Sequence, residues 1–207
     1  MDKSRFRKLF LQRLQKSSQI SKLYKDKQVA QKVELIIKML KPKSILFYQP
    51  LQIEPNLNSL LIKYKKKIKI LTPFMEGVSF KMVKYRLPLT RKRFGILEPP
   101  NSLFIQKKVD LIIVPVIGVD GNLKRVGFGK GMYDRFFETL SCKPIVVFVQ
   151  IEECFTKEKI CNDLDIQAHY YVTPKKIIFR GGQYDNRASC WSECSNFRSY
   201  SSFFYSK

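Results

Sequence analysis

Apolar residues recur along the chain at two different spacings. Near the N-terminus, four apolar residues spaced three and four apart predict one buried face of an amphipathic helix: Phe6, Leu9, Phe10 and Leu14. The segment QVAQKVELIIKML (28–40) has the same spacing and precedes Pro42, so it predicts a second helix that ends there. The inner side of this helix is expected to carry Val29, Val33, Ile36, Ile37 and Leu40.

Short apolar runs of another kind predict strands, at SILFYQP (44–50), IKILTPF (68–74) and SFKMVKY (79–85). Two further runs, VDLIIVPVIGV (109–119) and PIVVFVQ (144–150), are almost continuously apolar, which is typical of strands covered on both faces. Helices are expected at NSLLIKY (58–64) and GMYDRFFETLS (131–141), and RKRFGILEPPNS (91–102) is interpreted as a loop. This alternation predicts the α/β class: a single domain with a mainly parallel central sheet flanked by helices.

The length of 207 residues and a hydrophobic content of 44% suit one domain, which we place at 1–179. The segment 180–207 is rich in Ser, Cys and aromatic residues without either period, and we interpret it as an irregular tail with a composition compatible with disorder. No apolar run approaches the roughly 20 residues of a membrane span, and charges interrupt the N-terminus. We therefore expect a cytoplasmic protein without membrane contact.

Charge and cysteine content narrow the function only slightly. Lys+Arg number 39 against 17 Asp+Glu, a net charge of +22 that attracts polyanions or forms a solvated basic surface. The five cysteines show no paired framework and are interpreted as reduced thiols. Cys190 and Cys194 are four apart, but zinc needs two more ligands and the only histidine is His169.

The stretch RVGFGKGMYDR (125–135) is the strongest candidate for chemistry, because it follows a buried strand and opens a helix. Its three glycines allow close approach of the backbone to a phosphate, and Arg125 and Lys130 add positive charge. Asp134 is a candidate ligand for the magnesium that accompanies a nucleotide. The spacing matches no complete phosphate-loop pattern, so a purely structural turn stays open as an alternative.

Together, VDLIIVPVIGVD and RVGFGKGMYDRFF resemble the signature of the 5-formyltetrahydrofolate cyclo-ligase family, also called methenyltetrahydrofolate synthetases. Other motifs of that family occur in the same order over residues 3–173. Those matches are Lys3 and Arg7; Tyr48, Pro50 and Glu54; Gly95, Ile96, Glu98 and Pro99; and Asp165, Val172 and Thr173.

The resemblance implies the cyclo-ligase fold, similar to the NagB, RpiA and CoA-transferase proteins, in a monomer that acts on a reduced folate. The implied reaction uses ATP and Mg²⁺ to convert 5-formyltetrahydrofolate into 5,10-methenyltetrahydrofolate, releasing ADP and phosphate through a phosphorylated formyl intermediate. Nucleic acid is not required, although the basic surface could bind polyanions. Two rival functions stay open: a cyclo-ligase-like protein that binds RNA, and an ATP-dependent enzyme acting on another small amide.

The resemblance also implies roles for individual residues, with Arg125 and Lys130 as the catalytic cations. Contacts with ATP are implied for Lys3, Ser4, Arg5, Phe6, Arg7, Arg125, Val126, Gly127, Phe128, Gly129, Lys130, Gly131, Met132 and Tyr133. Contacts with folate are implied for Tyr48, Glu54, Phe128, Gly129, Lys130, Gly131 and Met132, and contacts with Mg²⁺ for Asp134 and Asp165. Simpler roles remain for three of these: a turn residue for Glu54, a solvated helix face for Arg7, and a first-turn carboxylate for Asp134.

Four positions depart from the family pattern. Val119 replaces a phenylalanine, and Leu123 stands where a glycine is usual, so we expect Gly121 to supply that turn. Met132 replaces a tyrosine, and His169 replaces an aspartate, which would place both residues at the folate end of the site. We expect His169 to be a structural hydrogen-bonding residue rather than an acid or a base.

Overall fold

The computed structural model describes residues 1–91, 97–102 and 106–180. Its helices are α1 (Lys3–Gln19), α2 (Lys22–Leu40), α3 (Asn58–Tyr64) and α4 (Met132–Glu138). The first six strands are β1 (Ser44–Leu46), β2 (Lys69–Glu76), β3 (Ser79–Lys84), β4 (Thr90–Arg91), β5 (Leu97–Glu98) and β6 (Leu111–Pro115). The others are β7 (Gly118–Val119), β8 (Arg125–Val126), β9 (Ile145–Val149), β10 (Tyr170–Val172) and β11 (Ile177–Phe179).

Seven strands form one sheet in the order β11-β10-β9-β6-β1-β2-β3. The five central strands are parallel, and the two outer strands, β3 and β11, pair antiparallel to their neighbours. The prediction of a mainly parallel sheet flanked by helices is thereby confirmed. The segment expected to be a loop at 91–102 contributes to the small β4–β5 pair, and the short β7–β8 hairpin was not anticipated.

Both faces of the sheet are buried. Side chains of β6 alternate between them: Leu111 and Ile113 pack with α2 and α3, whereas Ile112 and Val114 pack on the opposite face with Phe136 of α4. This arrangement explains the continuous apolar run, because a strand covered on both sides has no solvent-facing position.

Helix α1 packs across the loops that follow the strands rather than onto a face of the sheet. Phe6, Phe10 and Leu14 are buried there against a third apolar cluster that includes Val126. Leu9 was expected on this buried face but is 53% exposed, so that prediction was wrong. Because α1 contacts only a narrow set of loops, it buries a single stripe of residues four apart, Phe6, Phe10 and Leu14, and Leu9 lies outside that stripe.

Some predictions lie outside the described residues, including those for Gly95 and Ile96 and nearly all of the 180–207 tail. Cys154 and Cys161 carry free thiols. Within residues 1–91, 97–102 and 106–180, no helix combines the length and the apolar character needed to cross a membrane.

Candidate active site

The order in which the chain adds strands to the sheet reverses at β1. Strand β2 follows β1 in the chain and lies on one side of it, whereas β6 lies on its other side. In open α/β sheets, ligands bind beside the carboxyl ends of the strands at such a point. The loop that contains Tyr48 and Glu54 follows β1, and the hairpin leading to the glycine turn (127–131) follows β6. The two strongest motifs therefore emerge from neighbouring strands at the same edge.

Arg125 is the buried cation of this site. Its side chain donates from Nε and Nη2 to the carbonyl oxygen of Pro115, at 3.4 and 3.3 Å, and its guanidinium lies 4.7 Å from the centre of the Tyr133 ring. Burial lowers the pKa of Arg125, and nearby Tyr133, Asp134 and Glu54 oppose that shift. The residue is 8% exposed but remains charged at neutral pH, which creates a fixed positive potential.

The glycine turn fits around arginine side chains. A Cβ atom on Gly127 would lie 2.3 Å from Nη1 of Arg125, so a side chain at this position would displace the guanidinium. Gly129 has a φ of +85°, and a Cβ there would lie 3.4 Å from Cζ of Arg7. Arg7 also donates from Nε to the carbonyl oxygen of Gly127 at 2.7 Å. The turn thus exposes its backbone beside two guanidinium groups.

Helix α1 contributes two of its five predicted site residues directly. Arg7 reaches the glycine turn, and Lys3 forms an ion pair with Asp165. Phe6 is fully buried, with its ring packed against Gly118, so it positions the helix. Ser4 and Arg5 are exposed, and the N–H of Arg5 is bound by the helix cap Asp2 at 2.7 Å.

Glu54 is the buried carboxylate on the other side of the site. It is 5% exposed, and burial raises the pKa of Glu54 to about 7, although Arg125 and Lys22 lower it in part. Its Oε2 accepts a hydrogen bond from the N–H of Leu51 at 2.9 Å, which closes the loop. Tyr48 is also buried and donates its hydroxyl proton to the carbonyl oxygen of Pro55.

Helix α2 holds this loop through a carboxylate that sequence reasoning missed. Oδ1 of Asp26 accepts the N–H of Asn56 at 3.0 Å, while Lys22 pairs with Oδ2 at 2.8 Å. Asp26 interrupts the apolar stripe of α2 and is 8% exposed, which is the sequence signal that could have identified it. A second missed residue is Gln49, just after β1, whose Nε2 is buried without a hydrogen-bond partner among the described residues.

The two predicted magnesium ligands occupy different surroundings. Oδ1 of Asp134, in the first turn of α4, is buried and has no hydrogen-bond partner within the described part of the chain. Both oxygens of Asp165 are engaged, one by Lys3 and the other by the N–H of Asn162 at 2.9 Å. No three His, Cys, Asp or Glu side chains of the described residues converge into a metal-binding group.

The remaining predicted residues divide between core and surface. Val126 is fully buried against α1, and Met132 packs on the core beside α4. Phe128 is 42% exposed, and Gly129 and Lys130 beside it are exposed as well. The exposed part of the glycine turn is therefore the part available to a ligand.

Two departures from the family pattern are structural. Leu123 itself adopts the left-handed backbone, with a φ of +56°. Gly121 lies in the turn as expected, because the N–H of Leu123 closes it by donating to the carbonyl oxygen of Asp120 at 2.9 Å. A side chain would not fit at Gly121, since a Cβ there would lie 2.2 Å from the carbonyl oxygen of Lys157. Asp120 holds this turn by accepting the N–H groups of Asn122 and Lys124 at 3.0 and 2.9 Å.

His169 lies at the amino end of β10, where its Nδ1 accepts the N–H of Val146 at 3.1 Å. Burial lowers the pKa of His169 to about 4, which keeps the ring neutral at neutral pH. The glycine turn and Glu54, to which the resemblance assigns the folate, follow the carboxyl ends of strands. His169 lies at the opposite edge of the sheet, so the expectation that it lies beside those residues was wrong. The interpretation as a structural hydrogen-bonding residue is supported.

Fold and site together define a class: an open α/β protein with a glycine turn beside two arginine side chains at its switch point. The model of the 5-formyltetrahydrofolate cyclo-ligase family matches residues 1–168. The chain belongs to the 5-formyltetrahydrofolate cyclo-ligase family and is an enzyme of that family.

Individual relatives agree with this assignment. The 5-formyltetrahydrofolate cyclo-ligase of Mycoplasma pneumoniae is 26% identical over 147 residues, which is 68% of this chain and 80% of that protein. The Mycoplasma genitalium enzyme of the same name is 23% identical over 167 residues, covering 79% and 92%.

Solved structures give the same result. The NMR structure of Aquifex aeolicus 5,10-methenyltetrahydrofolate synthetase superimposes with a TM-score of 0.74 at 26% identity, covering 89% of this chain and 95% of that one. A 5,10-methenyltetrahydrofolate synthetase from Mycoplasma pneumoniae has a TM-score of 0.63 at 21% identity, over 84% and 99% of the two chains, and shares the fold.

Proposed function

We propose that this chain converts 5-formyltetrahydrofolate into 5,10-methenyltetrahydrofolate at the expense of ATP, with release of ADP and phosphate. The observation that carries the proposal is the convergence of Arg7 and Arg125 on the glycine turn, with buried Glu54 nearby. Positive charge around flexible backbone suits a polyphosphate, and a buried carboxylate suits the ring N–H groups of a pterin. Membership of the cyclo-ligase family supports the same reaction.

The glycine turn fits a nucleotide because the space beside Gly127 and Gly129 is already occupied by guanidinium groups. Replacing Gly127 would push a side chain into Arg125, and replacing Gly129 would strain a backbone whose φ is +85°. Arg7 is fixed by its hydrogen bond to Gly127, so it is oriented before a ligand arrives. Lys130, exposed on the turn, adds a flexible charge that follows the transferred group.

Asp134 fits a magnesium ion. Mg²⁺ is usually held by one or two carboxylates together with substrate phosphates and water, so a cluster of three protein ligands is not required. The buried Oδ1 of Asp134 has no hydrogen-bond partner among the described residues, and a cation would satisfy it. Asp165 is proposed as an indirect contributor, because its ion pair with Lys3 fixes the start of α1.

The folate end is assigned to the loop after β1 together with the exposed part of the glycine turn. Glu54 accepts hydrogen bonds from the pterin, and Nε2 of Gln49 supplies a donor from the same loop. Phe128 and Met132 provide apolar surface for the flat ring system. A pKa near 7 leaves Glu54 close to the balance between its neutral and charged forms, so a ligand that donates to it draws it toward the charged form.

ATP supplies the phosphoryl group that turns the formyl oxygen into a leaving group. In this scheme the formyl oxygen bonds to the γ-phosphorus as the bond to ADP breaks; N10 then attacks the formyl carbon, loses its proton and releases phosphate. Arg125 and Lys130 neutralise the charge that accumulates on the phosphoryl oxygens. Arg7 holds the turn, and Glu54 orients the ring so that the formyl oxygen faces it.

The test is the near-ultraviolet absorbance of the methenyl product, followed after mixing the full chain with 5-formyltetrahydrofolate, ATP and Mg²⁺. We expect a rise only when all three are present. Lys130→Ala should lower kcat by roughly 10²–10³-fold, in line with the loss of one charge-stabilising group. Lys159→Ala, at an exposed lysine outside the residues assigned to the site, is the matched control and should leave kcat unchanged.

A rise without ATP would contradict the proposed reaction. Folded protein that hydrolyses ATP with another formamide, but not with 5-formyltetrahydrofolate, would support a different small amide instead. Equal turnover in Lys130→Ala and Lys159→Ala would remove Lys130 from the proposed catalytic set.

A further inference from the structure

The edge of the sheet opposite the candidate active site is densely cationic. Parallel strands begin there, and nine exposed lysines lie at or just before the starts of four of them. They are Lys65, Lys66, Lys67 and Lys69 at β2, Lys41 and Lys43 at β1, Lys107 and Lys108 at β6, and Lys143 at β9. We call this set the amino-edge strip.

The amino-edge strip is continuous because its four strands are neighbours in the order β9-β6-β1-β2. Backbone contacts join the segments: the N–H of Lys69 donates to the carbonyl oxygen of Lys43 at 3.1 Å, and the N–H of Ile145 donates to that of Asp110 at 2.9 Å. Neighbouring strands lie ~4.8 Å apart, so the strip spans about 15 Å. Antiparallel β3 ends at the same edge and extends it with Lys84 and Arg86.

Little negative charge faces the amino-edge strip. In the segments 41–43, 65–69, 106–110 and 141–144, the one carboxylate is Asp110, and its Oδ2 accepts the backbone N–H groups of Lys43 and Ser44 at 2.7 and 2.9 Å. Glu34 on α2 is already paired with Lys38 and Lys63. The positive charges therefore add to one field instead of forming local pairs.

A shallow cleft, widely open to solvent, lies beside the amino-edge strip between the ends of α2 and α3. Its volume is about 330 Å³, and it is lined by Ile37, Lys38, Lys41, Pro42, Tyr64, Lys67 and Ile68. The wall is aliphatic and aromatic, while Lys41 and Lys67 of the strip stand at the same cleft. An unpaired nucleobase matches this combination, since its faces are apolar and its backbone is anionic.

We propose that the amino-edge strip is a second ligand site that binds single-stranded RNA, with phosphates along the lysines and one base in the cleft. A duplex fits less well, because its bases are paired and turned inward. A membrane surface fits less well too: the described residues of the four strip segments carry no exposed large apolar side chain to enter a bilayer. This site is separate from the glycine turn, so RNA and ATP bind to the protein at the same time.

The experiment is a fluorescence-anisotropy titration of the full chain with a labelled oligouridylate of about 12 nucleotides, a length within the site sizes of single-strand-binding folds. The test variant changes Lys65, Lys66 and Lys67 to Gln, and the control variant changes Lys27, Lys157 and Lys159, which are exposed but outside the strip. We expect the test variant to lose at least tenfold in affinity and the control less than twofold. Loss of three phosphate contacts should also reduce the slope of log K against log salt by about 2.

Turnover of 5-formyltetrahydrofolate by the test variant should equal that of the parent protein, which shows that the variant is folded. Binding that is unchanged by saturating ATP, and weaker for a duplex of the same length, supports the proposal. Four results would overturn it: no RNA binding by the parent protein, equal losses in both variants, displacement of RNA by ATP, or binding to phosphatidylserine vesicles in place of RNA. Inorganic polyphosphate of equal charge binding as tightly as the oligonucleotide would overturn the base-binding role of the cleft.

Discussion

Glu54→Gln should make the protein more stable at neutral and alkaline pH. A buried carboxyl group with a pKa of about 7 keeps its proton in the folded state well above the pH at which it ionises in the unfolded chain. The unfolded state therefore binds fewer protons than the folded state between pH 4.5 and about 7. The contribution of Glu54 to the free energy of unfolding therefore falls as pH rises through this window and levels off above it.

The magnitude follows from the two pKa values. The interval from the ordinary 4.5 to about 7, at ~1.36 kcal/mol per pH unit, gives about 3 kcal/mol of destabilisation above pH 7. Glutamine resembles the protonated acid and its carbonyl oxygen still accepts the N–H of Leu51, so it avoids this cost. The stability difference between variant and parent should be near zero at pH 4.5 and grow to about 3 kcal/mol at pH 8.

The assay is urea unfolding of the full chain at several pH values, with Glu138→Gln as the control for removing an exposed carboxylate. Folate turnover should fall in Glu54→Gln while ATP binding persists, because Glu54 is assigned to the pterin and not to the phosphates. A difference that does not change with pH, or a variant less stable than the parent at pH 8, would refute the reasoning. In that case water would already reach the carboxylate and its burial would not set its ionisation.

Three further substitutions test the site and its support. Gly127→Ala, whose Cβ would lie 2.3 Å from Arg125, should cost about 1–3 kcal/mol in urea unfolding and reduce turnover more than tenfold. Gly77→Ala has open space for its Cβ but a φ of +59°, so it strains a turn without displacing Arg125 and should leave turnover intact. Asp120→Ala leaves three partly buried backbone N–H groups without their acceptor and should destabilise the protein by about 2 kcal/mol. Asp120→Asn should be milder because it keeps one oxygen. Met132→Tyr restores the family residue and adds a hydroxyl group that can form one hydrogen bond. It should lower KM for 5-formyltetrahydrofolate up to about tenfold at unchanged kcat. An unchanged KM would place Met132 outside the folate site.

The central sheet could be predicted because strands that are buried on both faces appear in the sequence as continuous apolar runs. The run 109–119 contains almost no polar residue, and the apolar residues of α1 and α2 repeat at the α-helical period. No comparable pattern of apolar residues predicts the β7–β8 hairpin. Its turn contains Leu123 with a left-handed backbone, where local preference favours glycine, and it is held by Asp120 from within the hairpin and by contacts to residues 154–168. Tertiary contacts decide such a segment, and a local pattern does not report them.

The candidate site was accessible from sequence to the extent that it follows strand ends. Glu54 and the glycine turn lie after β1 and β6, and these strands are neighbours, so topology alone brings their loops together. The ion pair between Lys3 and Asp165 joins residues 162 positions apart and depends on how α1 crosses the loops. His169 shows the opposite limit, because its alignment with a family aspartate suggested the folate end, and strand direction places it at the amino end of β10.

The two edges of the sheet use charge in different ways. At the carboxyl edge, cations and carboxylates are buried near one another, so Arg125 and Glu54 shift each other's ionisation and respond strongly to a ligand. At the amino edge, the lysines are exposed and widely hydrated, so each contributes weakly and the sum depends on salt. Raising ionic strength should therefore separate the two proposed activities, weakening RNA binding steeply while the interactions of buried Arg125 and Glu54 change little. A net charge of +22 then reflects mainly the amino edge and the rest of the solvated surface, not the chemistry of the glycine turn.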